Sequence, residues 1–217
     1  MSTSRFIAGF LALVCGAYAL AQPIPYASRA QAVEALDDAA AERRASAVVW
    51  FAQNGVTSDD KLLLPHLGDD NDAVRELTEQ AMWVLWSRSG DKAVDALMAK
   101  GIEQMQARDM RGAIATFSEV IKRKPQFAEG WNKRATALFL AGDLDKSLAD
   151  CDQVLKRNPY HFGALSGYGQ IYFQQKRYDK AIEYWTRALK VNPNLSGLAV
   201  NIDAARRLRD EVQKRSV

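Results

Sequence analysis

The sequence predicts an all-α chain whose second half stacks antiparallel helix pairs. Three observations carry this. Of 217 residues, 34 are alanine and only 6 are proline, and these have the best and worst helix propensities. Pro125, Pro159 and Pro193 stand at equal intervals along the chain. Other positions keep the same step, and a fixed period of about 34 residues marks a repeat array. The same composition excludes a collagen-like or disordered chain. Two cysteines are too few for a disulfide-stapled scaffold, and a net charge of +3 does not by itself indicate nucleic acid.

The chain opens on an address. Arg5 precedes the apolar run from Phe6 to Val14, and Ala19-Leu20-Ala21 leads into Gln22-Pro23-Ile24-Pro25. A basic start, a short apolar middle and small residues two apart read as a secretory signal over residues 1–21. An uncleaved anchor is the alternative, disfavoured because the stretch from Phe6 to Ala21 falls short of the roughly 20 residues that span a bilayer. Lipid attachment at Cys15 is disfavoured by Val14 before it. Removal of the signal leaves Cys151 as the single thiol, expected as a buried small hydrophobe.

Residues 22–29 read as a short linker and 30–92 as a separate helical region. There Leu63-Leu64-Pro65-His66-Leu67 leads through Asp69-Asp70-Asn71-Asp72 into Ala73-Val74-Arg75, and apolar residues continue at Ala81 and from Trp83 to Trp86. Asp and Asn suit a helix start, where their side chains accept orphan backbone N–H bonds. A fainter copy runs from Val33-Leu36 through Asp37-Asp38 to Trp50. Helix, acidic turn and a helix opening Val-Arg resemble a HEAT repeat. A plain helical cap packed on the later repeats is the alternative.

The repeats span 93–195, as units 94–127, 128–161 and 162–195. Leu97, Trp131 and Leu165 are in step, as are Val120, Val154 and Ala188. One small column, Gly101, Ala135 and Gly169, lets two helices approach closely. A second, Ala113, Ser147 and Ala181, does the same from the partner helix. The large column, Phe117, Cys151 and Trp185, fills space between units. Arg108-Asp109 and Gly142-Asp143 break the paired helices. Residues 196–213 read as a closing helix with Leu198, Ile202, Ala205 and Leu208 on its apolar face, as a repeat stack requires.

These motif positions resemble the tetratricopeptide repeat family. The resemblance implies a right-handed α-solenoid. It also implies a concave face lined by the first helix of each unit. Carried over, the face positions are Met98, Ile102 and Met105, then Asn132, Thr136 and Phe139, then Ser166, Gln170 and Phe173. Some relatives clamp a C-terminal carboxylate with Lys, Asn and Arg. Here Asn132 is present, but the matching basic positions are Met98, Gly163 and Gly167, so a mixed neutral face is expected. Phe139 and Phe173 are either its apolar anchors or packing between helices.

No catalytic constellation emerges. His66 and His161 fall in loops and neither has a second ligand at metal spacing. His161 takes the last position of a repeat, where any polar residue is expected to serve. There is no Gly-rich phosphate loop and no Gly-x-Ser-x-Gly elbow, so no enzyme activity, cofactor or metal is expected. Residues 28–92 carry a balance of −5 and 93–217 of +7; most of this is expected to be solvated helix surface, with steering of an acidic partner toward the repeats as the second reading. The expected role is an exported, periplasmic scaffold that binds a protein or peptide segment of the cell envelope. It takes no nucleic acid, has no stable membrane insertion after cleavage, and is a monomer or weak homo-oligomer. An accessory subunit or enzyme of envelope lipid or glycan metabolism, or a self-assembling structural protein, is the alternative.

Overall fold

The computed structural model describes residues 26–215; the signal-like segment lies outside them. Eleven α-helices and short 3₁₀ turns make up the described residues: α1 Arg29–Ala35, α2 Ala41–Asn54, α3 Asp60–Leu63, α4 Asp72–Ser87, α5 Lys92–Gln106, α6 Met110–Arg123, α7 Ala128–Leu140, α8 Leu144–Arg157, α9 Phe162–Gln174, α10 Tyr178–Val191 and α11 Gly197–Arg215. Each unit is one helix pair, α5/α6, α7/α8 and α9/α10, as the period predicts.

Side-chain caps fix several starts. Asn71, Asp91, Asp109 and Asp143 each accept a backbone N–H from the first turn of the helix that follows. The turn between paired helices needs one left-handed residue per unit, and Arg108, Gly142 and Lys176 supply it with φ of 61°, 85° and 59°. Only the middle unit spends a glycine there. Lys122 and Arg123, Lys156 and Arg157, and Lys190 stand in the last turns of α6, α8 and α10, where cations oppose the helix dipole.

The two small columns are withdrawn from water, and so is the large one. A Cβ on Gly101 would overlap the Phe117 ring, and one on Gly169 would overlap the Trp185 ring. Ala135 faces the smaller Cys151 in the same cluster as Trp185. Position 8 and position 24 of each unit thus trade volume: Gly with Phe, Ala with Cys, Gly with Trp. Leu198, Ile202 and Ala205 of α11 bury the last apolar surface, as expected of a closing helix.

The N-terminal region places α2 and α4, the second helices of the two expected pairs, side by side. Arg44, near the start of α2, pairs with Asp69 at 2.7 Å and Asp70 at 2.6 Å just before α4. Arg88, just past α4, donates to the carbonyls of Ala52, Gln53 and Gly55 at the end of α2. Start meets start and end meets end, so α2 and α4 run parallel. The segment between them must return the chain. It is irregular because Pro65, at the start of the 3₁₀ turn Leu64–Gly68, has no N–H to continue α3.

This layer does not simply continue the stack. Phe162, the first residue of α9, belongs to its core together with Phe51, Leu63, Leu67, Met82, Leu85 and Trp86, and Val191 and Leu195 pack on the same cluster. Arg75 donates to Asn194 at 3.0 Å, and Asn194 donates to the Leu67 carbonyl at 3.2 Å. The layer therefore docks on the loop edge of the second and third units. Among the described residues no helix is long and apolar enough to cross a membrane.

Candidate functional site

The first helices of neighbouring units touch each other: α5 meets α7, and α7 meets α9. Each second helix packs on its own partner and on the next first helix. An array whose first helices are mutually closest curves toward them, so α5, α7 and α9 line the inner face.

The structure divides the six positions of this face in α7 and α9 between solvent and interior. Thr136 and Gln170 are exposed. The Thr136 hydroxyl donates to the Asn132 carbonyl at 3.0 Å. Asn132 is only 8% exposed and donates to Glu129 at 3.0 Å. Ser166 is half-buried, and its carbonyl accepts the Trp185 indole N–H at 3.1 Å. Phe139 and Phe173 are half-buried against the core of the third unit. The Phe173 ring lies 5.6 Å from Trp185 and 5.7 Å from Tyr178, so it packs between helices. In α5, Met98 is buried, while Ile102 and Met105 pack beside it. Lys133 and Leu140, on the exposed side of α7, complete the surface. The family's pattern gives three face positions per first helix, here Asn132, Thr136 and Phe139, and so leaves both residues out.

The helix starts at one end of this face are closed by the chain itself. Glu129 and Gly163 occupy equivalent positions of the second and third units. Glu129 is buried, with its carboxylate 3.1 Å from His161 Nε2 and 3.1 Å from Lys133 Nζ. A Cβ on Gly163 would lie 2.5 Å from the Trp83 ring. Trp86 stacks on His161 with ring centroids 4.4 Å apart, and Trp83 meets Phe162 edge-on at 5.1 Å. His161 is fully buried, and its Nδ1 accepts the Ala164 N–H at 3.1 Å. This corrects the expectation that any polar residue serves at position 161: the site needs a ring that caps α9, reaches Glu129 and stacks on Trp86. Burial pushes the Glu129 carboxyl up, but the His161 hydrogen bond and the Lys133 charge outweigh it and hold the group below its ordinary range.

Successive units are stapled by one repeated polar contact. Arg134 donates to Ser118 at 3.0 Å, and Tyr168, at the equivalent position of the next unit, donates to Asp152. Arg134 also forms a two-pronged pair with Asp150, both bonds at 2.7 Å. Its guanidinium and that of Arg157 flank the Trp131 ring at 5.1 and 4.8 Å. Cys151 is buried, with its thiol pushed up to about 12. His66 lies 3.7 Å from Asp69, beside the Arg44 pair. No group of three or more His, Cys, Asp or Glu side chains gathers at metal-binding distance among the described residues.

The tetratricopeptide repeat family matches residues 98–161 and, through a second profile, 164–195. A TPR repeat-containing protein of Rhizobium etli is 34% identical over 108 residues, which are 50% of this chain and 53% of that protein. Hsp70-Hsp90 organizing protein 1 of Glycine max is 28% identical over 153 residues, 70% of this chain and 25% of that protein. The chain thus spans about half of the first relative and a quarter of the second. Among solved structures, the Sgt2 TPR domain from Aspergillus fumigatus superimposes with a TM-score of 0.54 at 19% identity, covering 57% of this chain and 83% of that one. The TPR2B-domain:pHsp70 complex of yeast Sti1 does so with a TM-score of 0.50 at 23% identity, covering 56% and 98%. Both share the helix-pair solenoid.

Proposed function

Residues 98–161 and 164–195 of this chain are tetratricopeptide repeats, and we propose that they form a protein-binding adaptor that takes a peptide segment of a partner on the inner face. The observation that carries this is the exposed polar row of Thr136 and Gln170 on adjoining first helices, beside Lys133 and the exposed Leu140. Helical-repeat solenoids use such continuous faces to bind extended segments. The relatives named for organising Hsp70 and Hsp90 agree in kind.

The signal-like residues 5–21 extend the proposal to export, with a partner in the cell envelope. A face lacking the basic positions of the carboxylate clamp then selects its segment by side chains rather than by a terminal carboxylate.

Two experiments test this reading. A photo-crosslinking residue at Gln170 should capture a defined partner in the native cell, and Thr136→Arg with Gln170→Arg should abolish the adduct while the helical content is kept. An adduct insensitive to both substitutions places binding elsewhere. Release of the chain by osmotic shock, with a mature start at Gln22, supports export; retention in the cytoplasm at full length removes the envelope part alone.

A further inference from the structure

A second surface lies outside the inner face, where the N-terminal layer meets the loops that join the repeats. Two adjoining clefts run there and share Leu64, Pro159 and Tyr160. Together they form one crevice with Tyr160, 48% exposed, at its middle. Its walls are apolar at Leu64, Pro65, Pro159 and Val191.

Its rim is basic. Lys61, Lys124 and Arg157 line one cleft, and Arg187 and Lys190 line the other. Lys124 and Arg157 donate to the main-chain carbonyls of Ser89 and Pro125 rather than to carboxylates. Of these five cations, Arg187 has a carboxylate within ion-pair reach among the described residues, an exposed Glu183 at 3.9 Å. The acids that line the crevice are already committed. Asp60 accepts the Trp86 indole N–H at 2.8 Å, and Glu129 holds His161 and Lys133. Apart from Arg187, the rim cations are left without a carboxylate in ion-pair contact among the described residues, while the walls offer apolar contact. The cations are shared between two clefts rather than gathered at one point, which suits a chain of charges more than a single phosphate.

We propose that this crevice is a second docking site, and that its occupant is an acidic peptide segment that places an apolar or aromatic side chain against Tyr160. Charge complementarity at the rim gives orientation and fast capture, and the apolar wall gives the contact that outlasts it. The site is independent of the inner face, so one chain can hold two segments at once.

The test is fluorescence anisotropy with the full chain and a labelled dodecapeptide of repeated Glu-Glu-Phe. Binding should weaken several-fold as salt rises from about 50 to about 300 mM, because rim charges are screened. Lys61 and Lys190 are exposed, and their side chains make no hydrogen bond or ion pair among the described residues. Lys61→Glu with Lys190→Glu should cost at least about tenfold in affinity at unchanged circular dichroism, and Thr136→Arg with Gln170→Arg should leave it as it was. Three results overturn the proposal: no anisotropy change at low salt, a loss that follows the inner-face pair instead of the crevice pair, or binding to phosphatidylglycerol vesicles without binding to the peptide.

Discussion

His161 Nε2 lies 3.1 Å from a Glu129 carboxylate oxygen, and neither side chain reaches solvent. Because Nδ1 accepts the Ala164 amide, Nε2 must carry the proton and donate to Glu129. Glu129 is thereby held as a buried carboxylate with its pKa below the usual 4.5. A depressed carboxyl pKa adds stability that is fully present above the unfolded value and is lost as pH falls through the folded one. The stability difference between wild type and Glu129→Gln, from urea unfolding, should be largest above pH 4.5 and shrink steadily below it. A difference that stays constant as the medium is acidified would show that Glu129 is not ionised in the fold.

The N-terminal layer should be coupled to the third unit through one aromatic contact. Trp83→Ala removes the ring that covers Gly163 and should cost about 3 kcal/mol, the bottom of the range for aromatic truncation, because Trp83 is only half-buried. Gly163→Ala drives a Cβ into that ring and should cost about 1–3 kcal/mol. Combined, the two should cost clearly less than their sum, because the truncated side chain leaves room for the new methyl. Additive costs in a urea double-mutant cycle would show that the two residues are not in contact.

Cys151 should be silent in the native state. Burial first, and the nearby Asp150 and Asp152 charges second, raise its thiol to about 12, and the thiolate is the reacting form. Iodoacetamide at pH 8 should modify the chain only as fast as it unfolds, so urea at sub-denaturing concentration should accelerate labelling in step with the unfolded fraction. Prompt labelling in buffer would contradict the burial.

The repeats were legible because their constraints are local and periodic. Pro125, Pro159 and Pro193 stop a helix through their own ring geometry, and Gly101 and Gly169 mark close approach within one pair. The inner face was legible only in part. Phe173 stands at a position that could serve either side, and it is half-buried with the Trp185 ring beside it. The N-terminal layer was least legible. Nothing adjacent in sequence tells Trp86 that it will stack on His161, at the far end of the second unit, and the parallel course of α2 and α4 follows from Arg44 and Arg88, whose partners lie 25 to 36 positions distant.

The exchange of volume between positions 8 and 24 makes the strongest claim about how the units are built. In the first unit a glycine backbone receives Phe117, in the third it receives Trp185, and in the second Ala135 faces Cys151. If each pair is one packing decision, the second unit can be rewritten as the first. Cys151→Phe alone inserts a ring where the Ala135 methyl stands, an overpacking that should cost about 1–3 kcal/mol. Ala135→Gly alone trades a good helix former for a poor one and opens a small void, at about 1 kcal/mol. The double variant regains the aromatic burial that Phe117 enjoys against Gly101, so it should be more stable than Cys151→Phe alone even though it adds a destabilising glycine. Urea midpoints of the four proteins decide it. A double variant no more stable than Cys151→Phe would mean that the columns vary independently, and that the match of sizes in this sequence does not reflect a packing rule.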